Sequence, residues 1–428
     1  MKTLLKNALL YTPDGAFTGY LAVEDKTIVS IGKERPAGTF DSEKDMSGKM
    51  ILPGLVNGHT HTPMTLLRGV GTDLPLQKWL FDVVFPIEAR LTDANIRTGA
   101  ELALLEMLSS GTTSFSDMYF YPLIAAEVIA DSGIKANLCQ HVQGFDPNDR
   151  FAGSSFAQKA QALQKAFHGA AEGRIQVDAC LHAEYTNFSD DVVRGMVAFA
   201  KENGLHMHVH LSETEKEHLE CKERRNGLTP AAWFEQMGVF DQPCAAAHCV
   251  WIEDGDVEIF RRHGVTVVHN PTSNMKLGSG FAPIPKLLEA GVNVSIGTDG
   301  TASNNNLNMF EELHLASVIH NGYHHDAAIM PAKKLVEMAT VNGARQQGRN
   351  TGELTVGKCA DLIAIDMDRP HLFPCLDAAG LLAYSAQGSD VVMTMVDGRI
   401  LYENGEFLTL DKEKILFEAK EAVKQLYA

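Results

Sequence analysis

Gly54-Leu-Val-Asn-Gly-His-Thr-His61 is a short apolar run that ends in two histidines. The run predicts a buried strand over 54–59. Residues two apart on a strand point to the same face, so the imidazoles of His59 and His61 can reach one cation. A His-x-His pair alone is a weak signal, but the catalytic groups of parallel barrels lie at the C-terminal ends of strands. The position of the pair therefore favours two metal ligands on a barrel rim.

The chain after this run alternates short apolar segments with amphipathic ones as far as residue 349. Helices are predicted over ranges such as 93–109 and 191–203. Eight strands that alternate with helices predict an α/β fold, a (β/α)₈ TIM barrel, although a doubly wound sheet would show the same alternation. The seven other predicted strands are 112–117, 135–139, 176–181, 205–211, 244–248, 265–269 and 292–298.

The two ends of the chain have a different character from the middle. Residues 21–32 predict a hairpin, and 361–366, 391–396 and 399–402 predict further short strands. Neither end alone can bury a core, so both are expected to pair into one small β-sandwich domain. A C-terminal helix is predicted over 412–426. The predicted domains are 1–53 and 351–428 for the β-sandwich and 54–350 for the barrel.

The charge balance favours a small-molecule substrate. The 428 residues include 54 Asp and Glu against 37 Lys and Arg, a net charge of −17. Binding to nucleic acid or to an anionic membrane needs clustered Lys and Arg, so neither partner is expected. The sequence shows no signal-peptide pattern and no apolar run of about 18 residues, and its seven scattered cysteines predict free thiols. We expect a cytoplasmic protein that could form a homo-oligomer.

A second group of histidines, His206-Met-His-Val-His210, falls on the fifth predicted strand. The three histidines alternate with apolar residues and therefore share one face. Only His210 lies at the strand end, level with the first pair, so it is the predicted third ligand. His206 and His208 are interpreted as residues of the barrel interior. Glu213 follows in the next loop, where it could carry protons over a metal or simply lie in solvent.

Two more groups end the sixth and eighth predicted strands. His248 closes Cys244-Ala-Ala-Ala-His248, and Asp299 closes Val294-Ser-Ile-Gly-Thr-Asp299. An aspartate directly after a buried apolar strand is unfavourable without a cation or hydrogen-bond donors. Candidate groups thus follow strands one, five, six and eight, which end on the same rim of one barrel. This arrangement predicts a metal-dependent active site.

This pattern, with Ile51-Leu-Pro-Gly-Leu-Val-Asn-Gly58 before it, resembles the amidohydrolase superfamily over nearly the whole chain. Within the superfamily, residues 79–90, 210–214, 269–274 and 297–304 resemble the 5-methylthioadenosine/S-adenosylhomocysteine deaminases. The resemblance implies hydrolytic removal of the amino group from an adenine nucleoside. It also implies one divalent metal ion, Zn²⁺ or Fe²⁺, because 176–182 lacks the lysine that bridges two metals in many members. The implied ligands are His59, His61, His210 and Asp299.

The same resemblance implies roles for the acid–base groups. His248 and Asp299 would orient a water that the metal activates and accept its proton. Glu213, in its protonated form, would donate to the ring nitrogen beside the attacked carbon and then help ammonia to leave. A glutamate suits both steps if burial raises its pKa.

Substrate-binding residues are implied by single matched positions. Glu88 matches a residue that binds the ribose hydroxyls, and a carboxylate can accept both hydrogen bonds of a diol. His182 matches a substrate-contacting histidine, and Arg150 matches one of two arginines at the distal end of the substrate. The second arginine is absent from 138–142, which reads Leu-Cys-Gln-His-Val. The preference therefore shifts from S-adenosylhomocysteine toward adenosine, 5′-deoxyadenosine and methylthioadenosine.

Three alternatives remain open at the level of sequence. The same scaffold supports aminohydrolases or chlorohydrolases of other N-heterocycles, such as guanine, cytosine, pterins or triazines. A catalytically inactive binding protein would have lost metal ligands, and none is lost. A two-metal amide hydrolase is disfavoured by the missing lysine. The aromatic residues Trp79, Phe81 and Phe85 could line a base pocket, but packing is the simpler interpretation.

Overall fold

The chain forms a barrel of parallel strands and a mixed sheet to which both chain ends contribute. The computed structural model describes residues 1–120 and 123–428. The strands are β1 (Lys2–Thr12), β2 (Gly15–Glu24), β3 (Thr27–Gly32), β4 (Ser42–Asp45), β5 (Lys49–Pro53), β6 (Leu55–Thr60), β7 (Thr112–Tyr119), β8 (Lys135–Gln140), β9 (Ile175–Val177), β10 (Ala179–Leu181), β11 (Met207–Leu211), β12 (Cys244–His248), β13 (Thr266–His269), β14 (Asn293–Ile296), β15 (Leu362–Asp366), β16 (Val391–Val396), β17 (Arg399–Glu403) and β18 (Glu406–Phe407).

Helices follow most of the barrel strands. Several begin at a side-chain cap, as where the Ser189 hydroxyl accepts from the Val192 N–H. They are α1 (Leu76–Trp79), α2 (Phe85–Glu88), α3 (Asp93–Ser109), α4 (Leu123–Ser132), α5 (Ser155–Phe167), α6 (Asp190–Asn203), α7 (Glu215–Arg224), α8 (Pro230–Gln236), α9 (Asp254–His263), α10 (Pro271–Lys276), α11 (Ile284–Glu289), α12 (Met309–His324), α13 (Ala332–Met338), α14 (Val341–Gln346), α15 (Ala378–Tyr384) and α16 (Lys412–Leu426), with a π-helical turn over Leu80–Val84 between α1 and α2.

Eight parallel strand positions close into the predicted (β/α)₈ barrel. Strands β6 to β9 form one parallel ladder and β10 to β14 form another. Asp178 separates β9 from β10, so the fourth position is an interrupted strand whose halves pair with β8 and β11. Between β14 and β6, the Asp299 N–H donates to the His59 carbonyl at 2.9 Å. The strands are buried on both faces, as expected where helices cover a parallel sheet.

The run from Gly54 to His61, which contains β6, packs closely against its neighbours at Gly54 and Gly58. A Cβ at Gly54, between β5 and β6, would lie 2.1 Å from the Thr113 hydroxyl oxygen. A Cβ at Gly58 would lie 2.7 Å from the Gln346 side-chain oxygen, inside the barrel. The overlap at Gly54 extends to the Thr113 Cβ atom, so glycine there lets the chain pass directly from the mixed sheet into the first barrel strand.

Strands from both chain ends form one mixed sheet, as the sequence predicts. Its order is β18-β17-β16-β15-β5-β1-β2-β3, with β4 beside β1. The antiparallel pairing of β5 with β15 joins the N-terminal strands to the C-terminal ones. What was predicted as a sandwich is, in its hydrogen bonding, one continuous sheet. The domain bounds of 1–53, 54–350 and 351–428 stay a prediction.

The sheet has two apolar faces because side chains alternate along each strand. On β15, Ile363 and Ile365 join the apolar core of the barrel. Leu362 and Ala364 point the other way, into a smaller core that belongs to the sheet. One face of the sheet therefore packs against the barrel, and the other face packs on the sheet's own apolar core.

Across residues 1–120 and 123–428, each helix is too short or too polar to cross a bilayer. The seven cysteines are unpaired thiols, as predicted. The cytoplasmic location and the homo-oligomer stay predictions.

A buried ion pair joins the bottom of the barrel to the mixed sheet. The Lys135 Nζ, at the start of β8, lies 2.6 Å from Asp361 Oδ2 and 2.5 Å from Asp397 Oδ1. Lys135 and Asp361 are both buried. The two carboxylates come from the segments before β15 and after β16, so one ammonium group holds both segments.

We expect Lys135→Met to destabilise the protein by about 3–5 kcal/mol, because it leaves the buried Asp361 without its ion-pair partner and Asp397 with the longer 3.9 Å contact to Lys26 Nζ. The measurement is the thermal unfolding midpoint. Lys424→Met is the matched control, since Lys424 pairs with Glu421 on the exposed face of α16 and should change stability by about 0.5 kcal/mol or less. Equal midpoints for the two variants would contradict this account of the junction.

Candidate metal and active site

The C-terminal ends of β6, β11, β12 and β14 bring the predicted rim residues together. The Asp299 Oδ1 atom lies 3.1 Å from His61 Nε2 and 3.5 Å from His59 Nε2. The Nε2 atoms of His61 and His210 lie 3.3 Å apart. Two sets of potential ligand atoms, each within 4.8 Å of one another, overlap at His59. These sets are His59, His61 and Asp299, and His59, His210 and His248.

The outer nitrogen of each ligand-type imidazole is held by a neighbour. His61 Nδ1 bonds the Met118 carbonyl, and His210 Nδ1 bonds the His182 carbonyl at 2.7 Å. His59 Nδ1 lies 2.9 Å from His208 Nε2. Such contacts fix the ring orientation and leave Nε2 free to bind a metal. The Nε2 atoms consequently face a common centre.

The residues present fit a divalent cation. The Nε2 of His59 is buried and has no hydrogen-bond partner, and a buried polar atom in that state is costly. Burial lowers the pKa of His59 to about 4 and that of His210 well below its usual value. Burial acts to lower the pKa of His61 as well, but the neighbouring Asp299 carboxylate outweighs it and raises that pKa to about 9. Imidazole nitrogens with one carboxylate are ligands that Zn²⁺ and related first-row ions accept. The site is therefore a buried His/Asp metal-binding cluster.

Asp299 is fixed by its backbone and by two hydroxyl groups. Its φ of 58° lies in the left-handed region, which aspartate tolerates better than most residues. Its Oδ2 accepts hydrogen bonds from Ser273 Oγ at 2.6 Å and Ser303 Oγ at 2.8 Å. Burial acts to raise the pKa of Asp299, but the imidazoles of His59 and His61 beside its Oδ1 atom outweigh it, and the pKa lies well below its usual value. The residue is therefore held as a carboxylate.

Glu213 and His248 lie beside this cluster. Glu213 is buried in the loop after β11, with Oε1 3.4 Å from the Ser279 hydroxyl and Oε2 3.8 Å from His248 Nε2. Burial raises the pKa of Glu213. His248, with φ of 75°, has Nδ1 2.9 Å from Asn274 Oδ1. A carboxyl group that favours protonation thus faces an oriented imidazole across a small gap.

A cavity opens next to these groups and contains two of the predicted substrate-binding residues. Glu88, at the end of α2, accepts from the Tyr119 hydroxyl at 2.5 Å, and desolvation raises the pKa of Glu88 to about 7. His182 Nδ1 lies 3.1 Å from Thr186 Oγ1. The cavity is lined by His61, Met64, Leu76, Trp79, Leu80, Phe85, Glu88, Tyr119, His141, His182, Tyr185, His210, Glu213, His248, Leu277, Asp299 and Ser303.

The sequence left two interpretations open for Trp79, Phe81 and Phe85, namely the lining of a base pocket or simple packing. The structure places these three aromatic residues differently. Trp79 and Phe85 line the cavity. Phe81 is 45% exposed and packs against the edge of Phe85 at 5.3 Å between ring centroids. Gln77 on the same segment donates from Nε2 to Thr214 Oγ1 at 3.1 Å, beside Glu213. The segment that carries Glu88 is therefore tied to the loop that carries Glu213.

Other predicted residues lie elsewhere. Arg150 is exposed and does not line the cavity, so its substrate contact stays a prediction. His208 is buried in the barrel interior behind His59, and His206 is half-buried with Nδ1 3.2 Å from the Gln346 carbonyl. The position of His208 agrees with the barrel-interior interpretation, whereas His206 lies just before β11 and lines a surface pocket with Lys26 and Glu172.

Sequence reasoning missed Tyr119, which holds Glu88. The predicted second strand ends at residue 117, whereas β7 continues to Tyr119. Extending that strand by two residues would have placed the tyrosine at the same rim as the other groups, where barrel enzymes carry their functional side chains. His141, directly after β8, entered the sequence analysis only as part of residues 138–142, where the second substrate-contacting arginine is absent.

The amidohydrolase family model matches residues 50–401, which is most of the chain. The chain belongs to the amidohydrolase family. This amidohydrolase is 43% identical over 429 residues to a 5′-deoxyadenosine deaminase of Methanosarcina acetivorans, covering 99% of the chain and 98% of the relative. It is also 43% identical to a 5-methylthioadenosine/S-adenosylhomocysteine deaminase of Acetivibrio thermocellus, over the full length of both.

Solved structures agree with this assignment. The amidohydrolase chain superposes on a zinc-bound adenosine deaminase from Xanthomonas campestris with a TM-score of 0.92 and 29% identity, covering 99% of the chain and 98% of that structure. A zinc complex of an atrazine chlorohydrolase from Arthrobacter aurescens gives a TM-score of 0.91 at 22% identity, over 98% and 100% of the two chains. The second likeness shows the shared fold alone.

Glu312 on α12 joins two segments of this amidohydrolase site. Its carboxylate accepts from the Asn304 side chain at 2.7 Å and from the Thr272 N–H at 3.2 Å. Asn304 lies in the loop after β14 and Thr272 in α10 after β13, and these segments carry Ser303 and Ser273, which bind Asp299. Burial raises the pKa of Glu312 from 4.5 to about 7. Because the folded pKa is raised, the stabilising effect of the protonated form is full below about pH 4.5 and lost as pH rises through about 7.

We expect Glu312→Gln to remove this pH-dependent contribution. Relative to wild type, the unfolding midpoint of the variant should rise between about pH 5 and about pH 8, since only wild type loses a bound proton there. Glu311→Gln is the matched control, because Glu311 is the exposed neighbour on the same helix. A difference between Glu312→Gln and wild type that stays constant with pH would show that Glu312 does not titrate in this range.

Proposed function

We propose that this chain catalyses metal-dependent hydrolytic deamination of adenine nucleosides to their inosine forms. The substrates are adenosine, 5′-deoxyadenosine and 5′-methylthioadenosine, with S-adenosylhomocysteine as a further candidate. The observation that carries the proposal is the buried His/Asp cluster with Glu213 and His248 beside it, at one wall of a cavity that also contains Glu88. The full-length relatives named as deaminases of such nucleosides support it.

The proposed metal ligands are His59, His61, His210 and Asp299, and Zn²⁺ is the favoured ion, with Fe²⁺ the alternative. The zinc-bound adenosine deaminase of similar fold supports this choice. Such a cation supplies a nucleophile near neutral pH by lowering the pKa of the water that it binds. His248 belongs to the donor cluster by distance, and we assign it to the attacking water rather than to the metal.

Proton transfer is assigned to residues that flank the cluster. His248, oriented by Asn274, and Asp299 position the water and take its proton. Glu213, whose pKa is raised by burial, donates in its protonated form to the ring nitrogen next to the attacked carbon. The new carbon–oxygen bond forms as that nitrogen gains a proton. The amino group then takes the proton held by His248 and Asp299, the carbon–nitrogen bond breaks, and ammonia leaves. The new hydroxyl group returns a proton to Glu213 and becomes the keto oxygen.

Recognition of the ribose is assigned to Glu88, with His182 as a second contact. Glu88 is half-buried at the cavity wall and already accepts one hydrogen bond from Tyr119. A carboxylate has further lone pairs for a vicinal diol. Trp79, Leu80 and Phe85 give the same wall an apolar surface that suits a planar base.

One part of the cavity wall favours substrates without a carboxylate. His141 lines the cavity beside His182, at 5.2 Å between ring centroids, and it is buried. Burial lowers the pKa of His141 well below its usual value, so the ring is uncharged at neutral pH. A neutral imidazole offers less to the carboxylate of S-adenosylhomocysteine than an arginine would.

The direct test follows ultraviolet absorbance of adenosine, 5′-deoxyadenosine, methylthioadenosine, S-adenosylhomocysteine, adenine and guanine with zinc-loaded enzyme. We expect conversion of the nucleosides, loss of activity on chelation, recovery when zinc is restored, and no reaction of adenine, because the ribose contact is missing. If metal-loaded enzyme leaves every nucleoside unchanged, the proposal fails, and guanine, pterins and triazines become the substrates to try.

The ribose assignment predicts a specific loss in Glu88→Gln. The amide keeps one acceptor but loses the charge, and a hydrogen bond to a charged group is worth about 1.5–3 kcal/mol. We expect kcat/KM for 5′-deoxyadenosine to fall by about 10-fold to 100-fold, mainly through KM. Asp82→Asn is the matched control, because Asp82 lies exposed on the same segment. Equal KM values for both variants would remove Glu88 from the ribose site.

A further inference from the structure

Glu217 on α7 is a buried carboxylate whose two oxygens both accept hydrogen bonds from the backbone of the Glu213 loop. Oε1 accepts from the Ser212 N–H at 3.1 Å, and Oε2 accepts from the Glu213 N–H at 2.7 Å. The Glu217 side chain is 1% exposed. Thr214, the N-cap of α7, accepts in return from the Glu217 N–H at 3.2 Å. Hydrogen bonds in both directions therefore connect the loop to the first turn of α7.

This arrangement differs from an ordinary capping box. In a capping box, the acidic residue at the third helical position bonds the N–H of the N-cap residue itself. Here the N-cap is Thr214, but Glu217 reaches past it to the N–H groups of the two preceding residues. The carboxylate thus acts on the peptide units that carry Ser212 and Glu213 rather than on the helix end.

The backbone at this point takes an unusual path. Ser212 has a φ of 47°, in the left-handed region that residues with a Cβ seldom occupy. The Ser212 carbonyl accepts from the N–H groups of Val250 and Trp251, just after His248. Such a conformation persists only where surrounding contacts hold it, and it is typical of functional sites. The turn brings Glu213 to the cavity, 3.8 Å from His248 Nε2.

We propose that Glu217 is a positioning residue for the proton transfer performed by Glu213. Its two hydrogen bonds hold the Ser212–Glu213 backbone in the left-handed turn, and the turn places the Glu213 carboxyl group between Ser279 and His248. The inference rests on the proposed function, because it assigns Glu217 to the same chemical step. Glu217 itself does not touch the substrate or line the cavity among the described residues.

A double-mutant cycle tests this role with Glu213→Gln, Glu217→Gln and the double variant. The probe is 5′-deoxyadenosine, and the readouts are kcat, KM, bound metal and unfolding midpoint. Glutamine at 217 can accept only one of the two hydrogen bonds and turns an N–H toward the other donor. We expect kcat to fall by about 100-fold with KM and bound metal unchanged, since a small misplacement of a catalytic group has an effect of that size.

The decisive comparison is the effect of Glu217→Gln when Glu213 is already glutamine. If Glu217 acts through Glu213, the second substitution then lowers kcat no further. An equal loss in both backgrounds, or no loss in either, overturns the proposal, because a purely structural residue would act independently of Glu213. Glu215→Gln is the matched control, since Glu215 is exposed two residues away on the same helix and should leave kcat unchanged.

Two arrangements keep the test conclusive. If Glu217→Gln does not fold, the cycle uses Glu217→Asp, which keeps the charge but shortens the side chain and lengthens both hydrogen bonds. If the wild-type enzyme deaminates no nucleoside, the proposed function is wrong, and this result says nothing against the role of Glu217. The same cycle is then run on the heterocycle that the enzyme does hydrolyse. An active wild type with equal losses in both backgrounds overturns only the role of Glu217.

Discussion

Four imidazoles and one carboxylate share a small buried space at the barrel rim, and the surrounding structure is arranged to keep them oriented and close. The ring centroid of His59 lies 4.8 Å from that of His61 and 5.7 Å from that of His248. Rings this close repel one another when protonated, because the interior screens charge poorly. Each outer nitrogen is held by a neighbour. His248 ends β12 and Asp299 follows β14, and both have left-handed backbone conformations. A cation at the centre would offset the strain and desolvation that this geometry requires.

The barrel and its rim were predictable because both depend on local patterns. Apolar runs of strand length, separated by amphipathic helices, predicted all eight strand positions, and residues at strand ends share one rim in a parallel barrel. His59, His61, His210, His248 and Asp299 therefore come together in the structure as their positions at strand ends suggested. The pairing of the two chain ends was predicted by a different argument, that neither end could bury a core alone.

Features that depend on contacts between distant residues were not predictable in this way. The break of the fourth strand at Asp178 falls inside one apolar run, and its buried carboxylate bonds the Asn137 side chain on β8. Glu217 is indistinguishable in sequence from the exposed glutamates beside it, since its burial is set by the left-handed turn at Ser212. Arg150 was assigned by matching a loop, and a loop can place one residue in many directions. The exposed position of Arg150 follows from that freedom.

The joining of β5 to β15 has a consequence for how the molecule is made. Pro53 pairs with Leu362, so nearly the whole barrel is synthesised between two strands that lie side by side. Until residues beyond 361 emerge from the ribosome, β5 keeps an unpaired edge, and its Met50 and Leu52 lack the apolar neighbours that β15 supplies. Such edges attract other chains. The nascent protein should therefore be most prone to aggregation late in synthesis, when the barrel is complete and the sheet is not.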